Sequence, residues 1–271
     1  MKDFETSFER FEFKYWLSRS QVQYLLQRAE PFLRPDERAP DGQRNTSLYL
    51  DSPQLDFARQ HIERAPDRMK LRIRVYGEPA REPAFVEIKR KAKAVTLKQR
   101  AVVALAVLPP LLRGEDLSDL PLKADQRATL VQFQYLMLSR HATPQLLVTA
   151  HRRAYASILA DEGLRVTLDS DICYQPARGP QLFGSKQAWI NLCGVSTYSA
   201  HADTLLEIKF RGRAPGWLRE LTREMGLRRT RFSKYIAAVQ NEAVGPDGMG
   251  LLQRMPAPLW FRDSALKKGA I

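Results

Sequence analysis

Lysine, arginine and glutamate recur at every second position in several short segments, and this spacing is where the sequence could do chemistry. The acidic members recur as Glu12-x-Lys14, Glu87-x-Lys89 and Glu207-x-Lys209. Lysine and arginine bind phosphate oxygens through charge-assisted hydrogen bonds, and a carboxylate can hold a divalent metal. The pattern therefore indicates a site for a phosphorylated or otherwise polyanionic ligand.

The elements that must position these side chains are strands, because period-two alternation is typical of a strand with two different faces. The clearest segments lie near residues 10–15, 69–75, 86–91, 98–105, 165–172 and 206–211, and two weaker ones lie at 46–51 and 146–156. Apolar stripes between them predict helices near residues 18–32, 53–63, 123–140, 215–225 and 233–243.

A single alternating pattern runs through most of the chain, so we predict one domain over residues 1–243. Residues 244–271 form a tail in this interpretation, either packed or partly disordered. The stretch 174–203 is rich in Gly, Pro, Ser and Gln, and we interpret it as a long loop or insertion.

Net charge, cysteine content and absent motifs limit the classes of partner and function that this protein can have. The 271 residues carry a formal net charge of +13, which implies an anionic partner such as nucleic acid, a membrane surface or a phosphate-rich molecule. Two cysteines cannot form a disulfide framework. The motifs GxxxxGK[ST], GxGxxG and GxSxG are absent, so P-loop, dinucleotide-binding and serine-hydrolase functions have no support. The charged start, without an apolar signal segment, leads us to expect a cytoplasmic protein with no transmembrane segment.

The charged face of these strands has two interpretations. An alternating strand usually buries its apolar face and exposes its charged face to solvent. Here the charged positions are mostly Lys and Arg, and the helices also need an apolar surface to cover. Both facts fit a sheet closed into a barrel, with helices outside and charges in the lumen. Buried cations without partners are costly, so such a lumen must hold water and a polyanion.

The order of the motifs resembles that of VTC domains, the polyphosphate-polymerase domains of vacuolar transporter chaperone complexes and their bacterial relatives. These belong to the triphosphate tunnel metalloenzymes. The resemblance rests on RFEFKY (10–15), SLYLD (47–51), KLRIRVYG (70–77), VEIK (86–89), HRRAY (151–155), RVTLD (165–169), LEIK (206–209) and FSKY (232–235).

The resemblance implies an α+β fold: an antiparallel eight-stranded tunnel with helices outside. It also implies Mn²⁺ or Mg²⁺ as cofactor, ATP and polyphosphate as partners, and transfer of the γ-phosphoryl group of ATP to a growing polyphosphate chain. The catalytic cations would be Lys14, Arg72, Arg74 and Lys89. Further phosphate-binding residues would be Lys70, Lys98, Arg100, Arg152, Arg165, Lys209 and Lys234. The metal ligands would be Glu207, with Glu12 or Glu87.

One position departs from the related CYTH triphosphatases, whose signature is Glu-x-Glu-x-Lys, because Arg10 stands in place of the first glutamate. This favours the VTC subgroup. Two alternatives stay open: a tunnel triphosphatase that hydrolyses inorganic or nucleoside triphosphate, and a non-enzymatic polyanion-binding module. We expect no specific nucleic-acid partner, since nucleic-acid binders place cations on exposed faces with aromatic stacking partners.

Overall fold

Ten strands and six α-helices make up the described part of the chain, which in this computed structural model comprises residues 10–92, 95–159, 163–177, 183, 188–192 and 202–243. The strands are β1 (Arg10–Leu17), β2 (Leu33–Pro35), β3 (Gln43–Asp51), β4 (Asp67–Tyr76), β5 (Arg81–Ala92), β6 (Val95–Val103), β7 (Thr143–Ser157), β8 (Arg165–Pro176), β9 (Ile190–Asn191) and β10 (Thr204–Arg211). The helices are α1 (Arg19–Ala29), α2 (Asp56–Ile62), α3 (Leu108–Arg113), α4 (Ala124–Ser139), α5 (Gly216–Glu224) and α6 (Lys234–Ala243).

The sheet is antiparallel, with the strand order β1-β10-β8-β7-β3-β4-β5-β6. These eight strands are the eight predicted from alternation, and the fold is the expected α+β class. The sequence interpretation missed the short strands β2 and β9, which pair with β7 and β8 at the margins of the sheet, and helix α3. Strands of two or three residues are too short to show a period.

Helices cover the convex face of the sheet with two apolar clusters. In the first, Leu111 of α3 and Phe133 of α4 pack against Ile73 and Val86. In the second, residues of α1 and α5 pack on β1, β8 and β10. The alternation thus places the apolar parity of most strands under helices, as predicted.

Helix α6 departs from that prediction, because it packs on the concave face. Tyr235, Ala238 and Val239, spaced along one side of the helix, form a cluster with Val148 and Leu205. Leu205 is the register partner of Asp169 and therefore lies on the same face of the sheet as that carboxylate. The concave face is consequently apolar beneath α6 and charged elsewhere.

A β-bulge in β8 explains why this strand contributes residues both to the charged region and to the apolar cluster beneath α6. Asp171 has a φ of 48°, and the β7–β8 register shifts between Thr149 and His151. An extra residue reverses the alternation beyond it. Ile172 therefore joins the α6 cluster, whereas uniform alternation predicted it on the face opposite Asp169.

The sheet curls into a half-barrel. The hydrogen-bonded path over the described residues starts at β1 and ends at β6, so this ladder is open where a closed barrel was predicted. Residues 230–233 span the gap between the two sides. The Thr230 amide donates to the Lys14 carbonyl on β1, and the Phe232 ring packs against Trp16 of the same strand. The next residue, Ser233, accepts from Lys70 Nζ on β4 at 2.9 Å. The first and sixth strands of the path, β1 and β4, thus both contact the same short segment.

Domain boundaries stay a prediction. Residues 244–271 lie outside the described residues, as does most of 174–203, of which Tyr174–Pro176 end β8 and Ile190–Asn191 form β9. Among the described helices, none has the length and apolar character needed to span a bilayer.

We predict that Tyr235→Phe weakens the docking of α6. The Tyr235 hydroxyl donates to Asp51 Oδ2 at 2.6 Å, and Asp51 is fully buried. Loss of a buried hydrogen bond to a carboxylate should lower the free energy of unfolding by about 1–3 kcal/mol, measured by urea denaturation. Tyr135→Phe, on the exposed side of α4, is the matched control and should leave the midpoint unchanged. Equal midpoints for both variants would show that this bond does not hold the helix.

Candidate active site

Glu87 of β5 is the buried carboxylate that the cations on one wall of the concave face contact. Its side chain is 1% exposed and accepts from Arg72 Nε at 2.5 Å, Lys98 Nζ at 2.9 Å and Arg100 at 2.7 Å. Register explains the contacts, since Glu87 is paired with Arg72 on one side and Arg100 on the other. Burial alone would raise the pKa of Glu87, but Arg72 and its other cationic neighbours outweigh it, so the pKa is lowered and the group is ionised.

Asp169 of β8 is the central carboxylate of a second group of charged residues on the concave face. It is fully buried and accepts from Arg152 of β7 at 2.6 and 2.7 Å in a bidentate pair, and from Lys234 at 2.5 Å. Burial would raise the pKa of Asp169, yet Lys234 and Arg152 together lower it. Lys234 is the first residue of α6, so the sheet and the concave helix meet at this carboxylate.

A third group of charged residues of the concave face lies on β1 and β10. Lys14 Nζ lies 3.1 Å from Glu12 and 3.5 Å from Glu207, and Lys209 also contacts Glu207. Glu207 is largely buried; burial would raise its pKa, but Lys209 and Lys14 hold the pKa well below its usual range. The same carboxylates raise the pKa of Lys14 in spite of its burial.

Three further cations of this face have no carboxylate within 4 Å among the described residues. Arg74 is 9% exposed, and its Nε donates to Ser47 Oγ at 3.2 Å. Lys70 donates to Ser233 Oγ. Lys89 is exposed to the lumen, and Glu12 on the opposite wall attracts it. Buried or clustered charge without a counter-ion is costly, so these groups favour an anion among them.

The structure places the predicted site residues on the concave strands, except Lys234, which α6 contributes. Arg165 lies apart from the carboxylate clusters, at the end of the face near β2, where it is exposed and pairs with Asp36 at 3.2 Å. Asp169 and Ser233, which contact predicted site cations, were not themselves predicted as site residues. Asp169 follows the parity of Arg165 and was visible in the pattern. Ser233 carries no periodic signal.

The metal prediction fits in part. Glu12 and Glu207 lie together, each in contact with Lys14 and Lys209, whereas Glu87 is held by Arg72, Lys98 and Arg100 on another wall. No cluster of three or more potential metal ligands occurs among the residues described. Mg²⁺ in phosphate-transfer sites is commonly held by one or two carboxylates together with substrate phosphates and water. Glu12 and Glu207 fit that donor set, and Glu87 does not belong to it.

We predict that Asp169→Asn destabilises the protein, because it leaves Arg152 and Lys234 as buried cations without a counter-charge. The free energy of unfolding at pH 7 should fall by about 3–5 kcal/mol, measured by urea denaturation. The folded-state pKa of Asp169 is depressed, so its contribution is full above pH about 4 and is lost as the pH falls further. The gap between wild type and variant should therefore narrow in acid.

The matched control is Asp67→Asn, which breaks an ion pair of Asp67 with Arg90 at 2.5 Å on the exposed side. Solvent screens such pairs, so this variant should hardly change the urea midpoint. If Asp169→Asn behaves like Asp67→Asn, the buried carboxylate is not the counter-ion on which this region depends.

Comparison with known proteins supplies the family. The model of the VTC domain family matches residues 9–242, which is most of the chain. No curated protein matches it at a significant level. Among solved structures, a candidate adenylate cyclase from Bacillus halodurans aligns over 82% of this chain and 92% of its own at 12% identity, with a TM-score of 0.45, and at that score it carries no argument. With eight motif segments in order on a curled antiparallel sheet and a family match over residues 9–242, the chain belongs to the VTC domain family.

Proposed function

We propose that this protein is a metal-dependent polyphosphate polymerase, which transfers the γ-phosphoryl group of ATP to the end of a polyphosphate chain and releases ADP. Membership of the VTC domain family supports action on a triphosphate or polyphosphate. The transfer reaction, the nucleotide and the metal are parts of the proposal.

One observation carries the proposal: cations outnumber carboxylates on the concave face. The described carboxylates that contact its cations are Glu12, Glu87, Asp169 and Glu207. The cations are Lys14, Lys70, Arg72, Arg74, Lys89, Lys98, Arg100, Arg152, Lys209 and Lys234. A phosphate chain supplies one negative charge or more per unit and several acceptor oxygens, and arginine can bind it in a bidentate manner. A linear polyanion therefore suits the excess charge of this face.

The chain's own residues would act by binding and orientation. Lys14, Arg72, Arg74 and Lys89 would bind the β- and γ-phosphate oxygens of ATP. Glu87 keeps Arg72 in one orientation, which lowers the entropic cost of binding. Positioning and charge stabilisation are the main requirements of phosphoryl transfer, because the protein forms no covalent bond in it.

A second set would bind the acceptor. Arg152 and Lys234, fixed on Asp169, would hold the polyphosphate end or the transferred group, together with the more exposed Lys98 and Arg165. The attacking group is a terminal phosphate oxygen, which is already ionised at neutral pH. The reaction accordingly needs no general base, in agreement with the lack of His and Asp dyads in this set.

Glu12 and Glu207 are the residues that would hold a divalent cation, which when bound neutralises charge on the phosphate oxygens. Lys14 and Lys209 already neutralise these carboxylates, so replacement of these lysine contacts would accompany metal loading. Manganese or magnesium is the proposed ion.

We predict that Arg72→Ala and Glu207→Ala each lower ADP release and long-chain polyphosphate formation from ATP and Mn²⁺ by roughly 10²-fold or more, as for loss of one charge-stabilising group. ADP would be measured by a coupled assay and the chain by gel electrophoresis, with folding checked by circular dichroism. Arg113→Ala, which removes an exposed pair with Glu115, is the control and should retain activity.

The products separate the proposal from its alternatives. Orthophosphate without polymer would identify a triphosphatase on the same fold. Binding of polyphosphate with no turnover of ATP would identify a polyanion-binding module. Full activity in both Arg72→Ala and Glu207→Ala would contradict the assignment of the site.

A further inference from the structure

Lys70 stands out among the lumen cations by its surroundings. It lies on β4, half-buried, and its Nζ donates to the hydroxyl of Ser233 and forms no ion pair within 4 Å in the described part of the chain. The charges that act on it most strongly are all positive: Lys89 of β5, Lys14 of β1, and Arg72 and Arg68 of its own strand. Burial and the positive charge of Lys70 lower the pKa of His61, on α2, to about 3, so this imidazole is neutral.

These surroundings disfavour the protonated amine when the lumen holds no anion. Burial, together with Lys89 and Lys14, lowers the pKa of Lys70 to about 7. Lys14 of the opposite wall behaves in the other direction, because Glu207 and Glu12 lie beside it and raise its pKa. The difference between the two lysines follows from the presence or absence of carboxylates at hydrogen-bond distance.

We propose that Lys70 is a proton-coupled phosphate ligand, which is less protonated in the anion-free channel than when a phosphate chain has entered. An anion placed between Lys70 and Lys89 supplies the counter-charge that these two amines lack, and so favours the ammonium form of Lys70. The amine gains up to one proton from solvent and no covalent bond changes. This inference rests on the proposed function in that it takes the concave face as the phosphate site.

Proton linkage gives the sign of the effect. A group that is protonated more in the complex than in the free protein couples binding to proton uptake, so affinity falls as pH rises through the free-state pKa. Above pH 7 the affinity for a phosphate chain should fall by up to about tenfold per pH unit on account of this one group. An arginine at this position stays charged throughout and should remove that dependence.

The test is calorimetric titration of the whole protein with inorganic tripolyphosphate, without added metal, at pH 8 in buffers of different ionisation enthalpy. Wild type should take up more protons per ligand than Lys70→Arg, by up to one, since the ligand's own protonation cancels in the comparison. Lys123→Arg is the matched control, because Lys123 is exposed at the start of α4, away from the concave face, and it should show the uptake of wild type. Equal uptake in wild type and Lys70→Arg, with binding in both, would overturn the proposal.

A second measurement uses the wild-type protein alone, in case Lys70→Arg does not fold. In lysine-labelled protein, the Nζ and Cε resonances of Lys70 should titrate near pH 7 without tripolyphosphate and at least one unit higher with it. Absence of that shift in a protein that binds tripolyphosphate contradicts the inference. Failure to bind tripolyphosphate at all overturns both this inference and the proposed function. If the protein takes up a proton on binding tripolyphosphate but releases no ADP from ATP, only the polymerase proposal is overturned.

Discussion

The structure depends on a concentration of positive charge that its own carboxylates do not neutralise. Like charges a few ångströms apart in a partly dehydrated space repel one another, and the cost falls only when anions or water lie between them. The chain supplies internal counter-charge to some of these cations through two deeply buried carboxylates, Glu87 and Asp169. It leaves Arg74, Lys70 and Lys89 without such a partner among the described residues. That distribution makes anion binding the means by which the concave face reaches its lowest free energy.

The carboxylates of the face have two kinds of surroundings. Glu87 and Asp169 are each enclosed by cations, so their physical effect is to fix guanidinium and ammonium groups in single orientations. Glu12 and Glu207 lie side by side near the open edge of the sheet at β1, and among the described residues the cations in contact with them are lysines. A lysine is a flexible point charge that can be displaced at lower cost than a bidentate arginine. The second pair is accordingly better suited to exchange partners with a metal ion.

Helix α6 joins the stability of the fold to the geometry of the site. Its apolar side is buried against Val148 and Leu205 on the concave face. Lys234, its first residue, and Ser233, which precedes it, lie among the charged groups. Tyr235 stacks on Tyr49 and donates to Asp51, which in turn accepts from the first amides of α2. The position of Lys234 is therefore determined by apolar packing a single residue away. Apolar packing and the ion pair with Asp169 thus act together to hold Lys234 in the charged cluster.

The sequence by itself determined the eight main strands, the charged face of six of them up to the bulge in β8, and the sign of the ligand, because period-two alternation and charge are local properties that survive in any fold. It also placed Arg72, Arg74, Glu87 and Glu207 on charged faces correctly. It did not show that α6 covers part of the concave face, since a helical stripe does not say which surface it meets. The bulge at Asp171 reversed the alternation and moved Ile172 to that face. Which cations received carboxylate partners and which, like Lys70, did not was decided only by strand register and by the curl of the sheet, because those contacts join residues far apart in the chain.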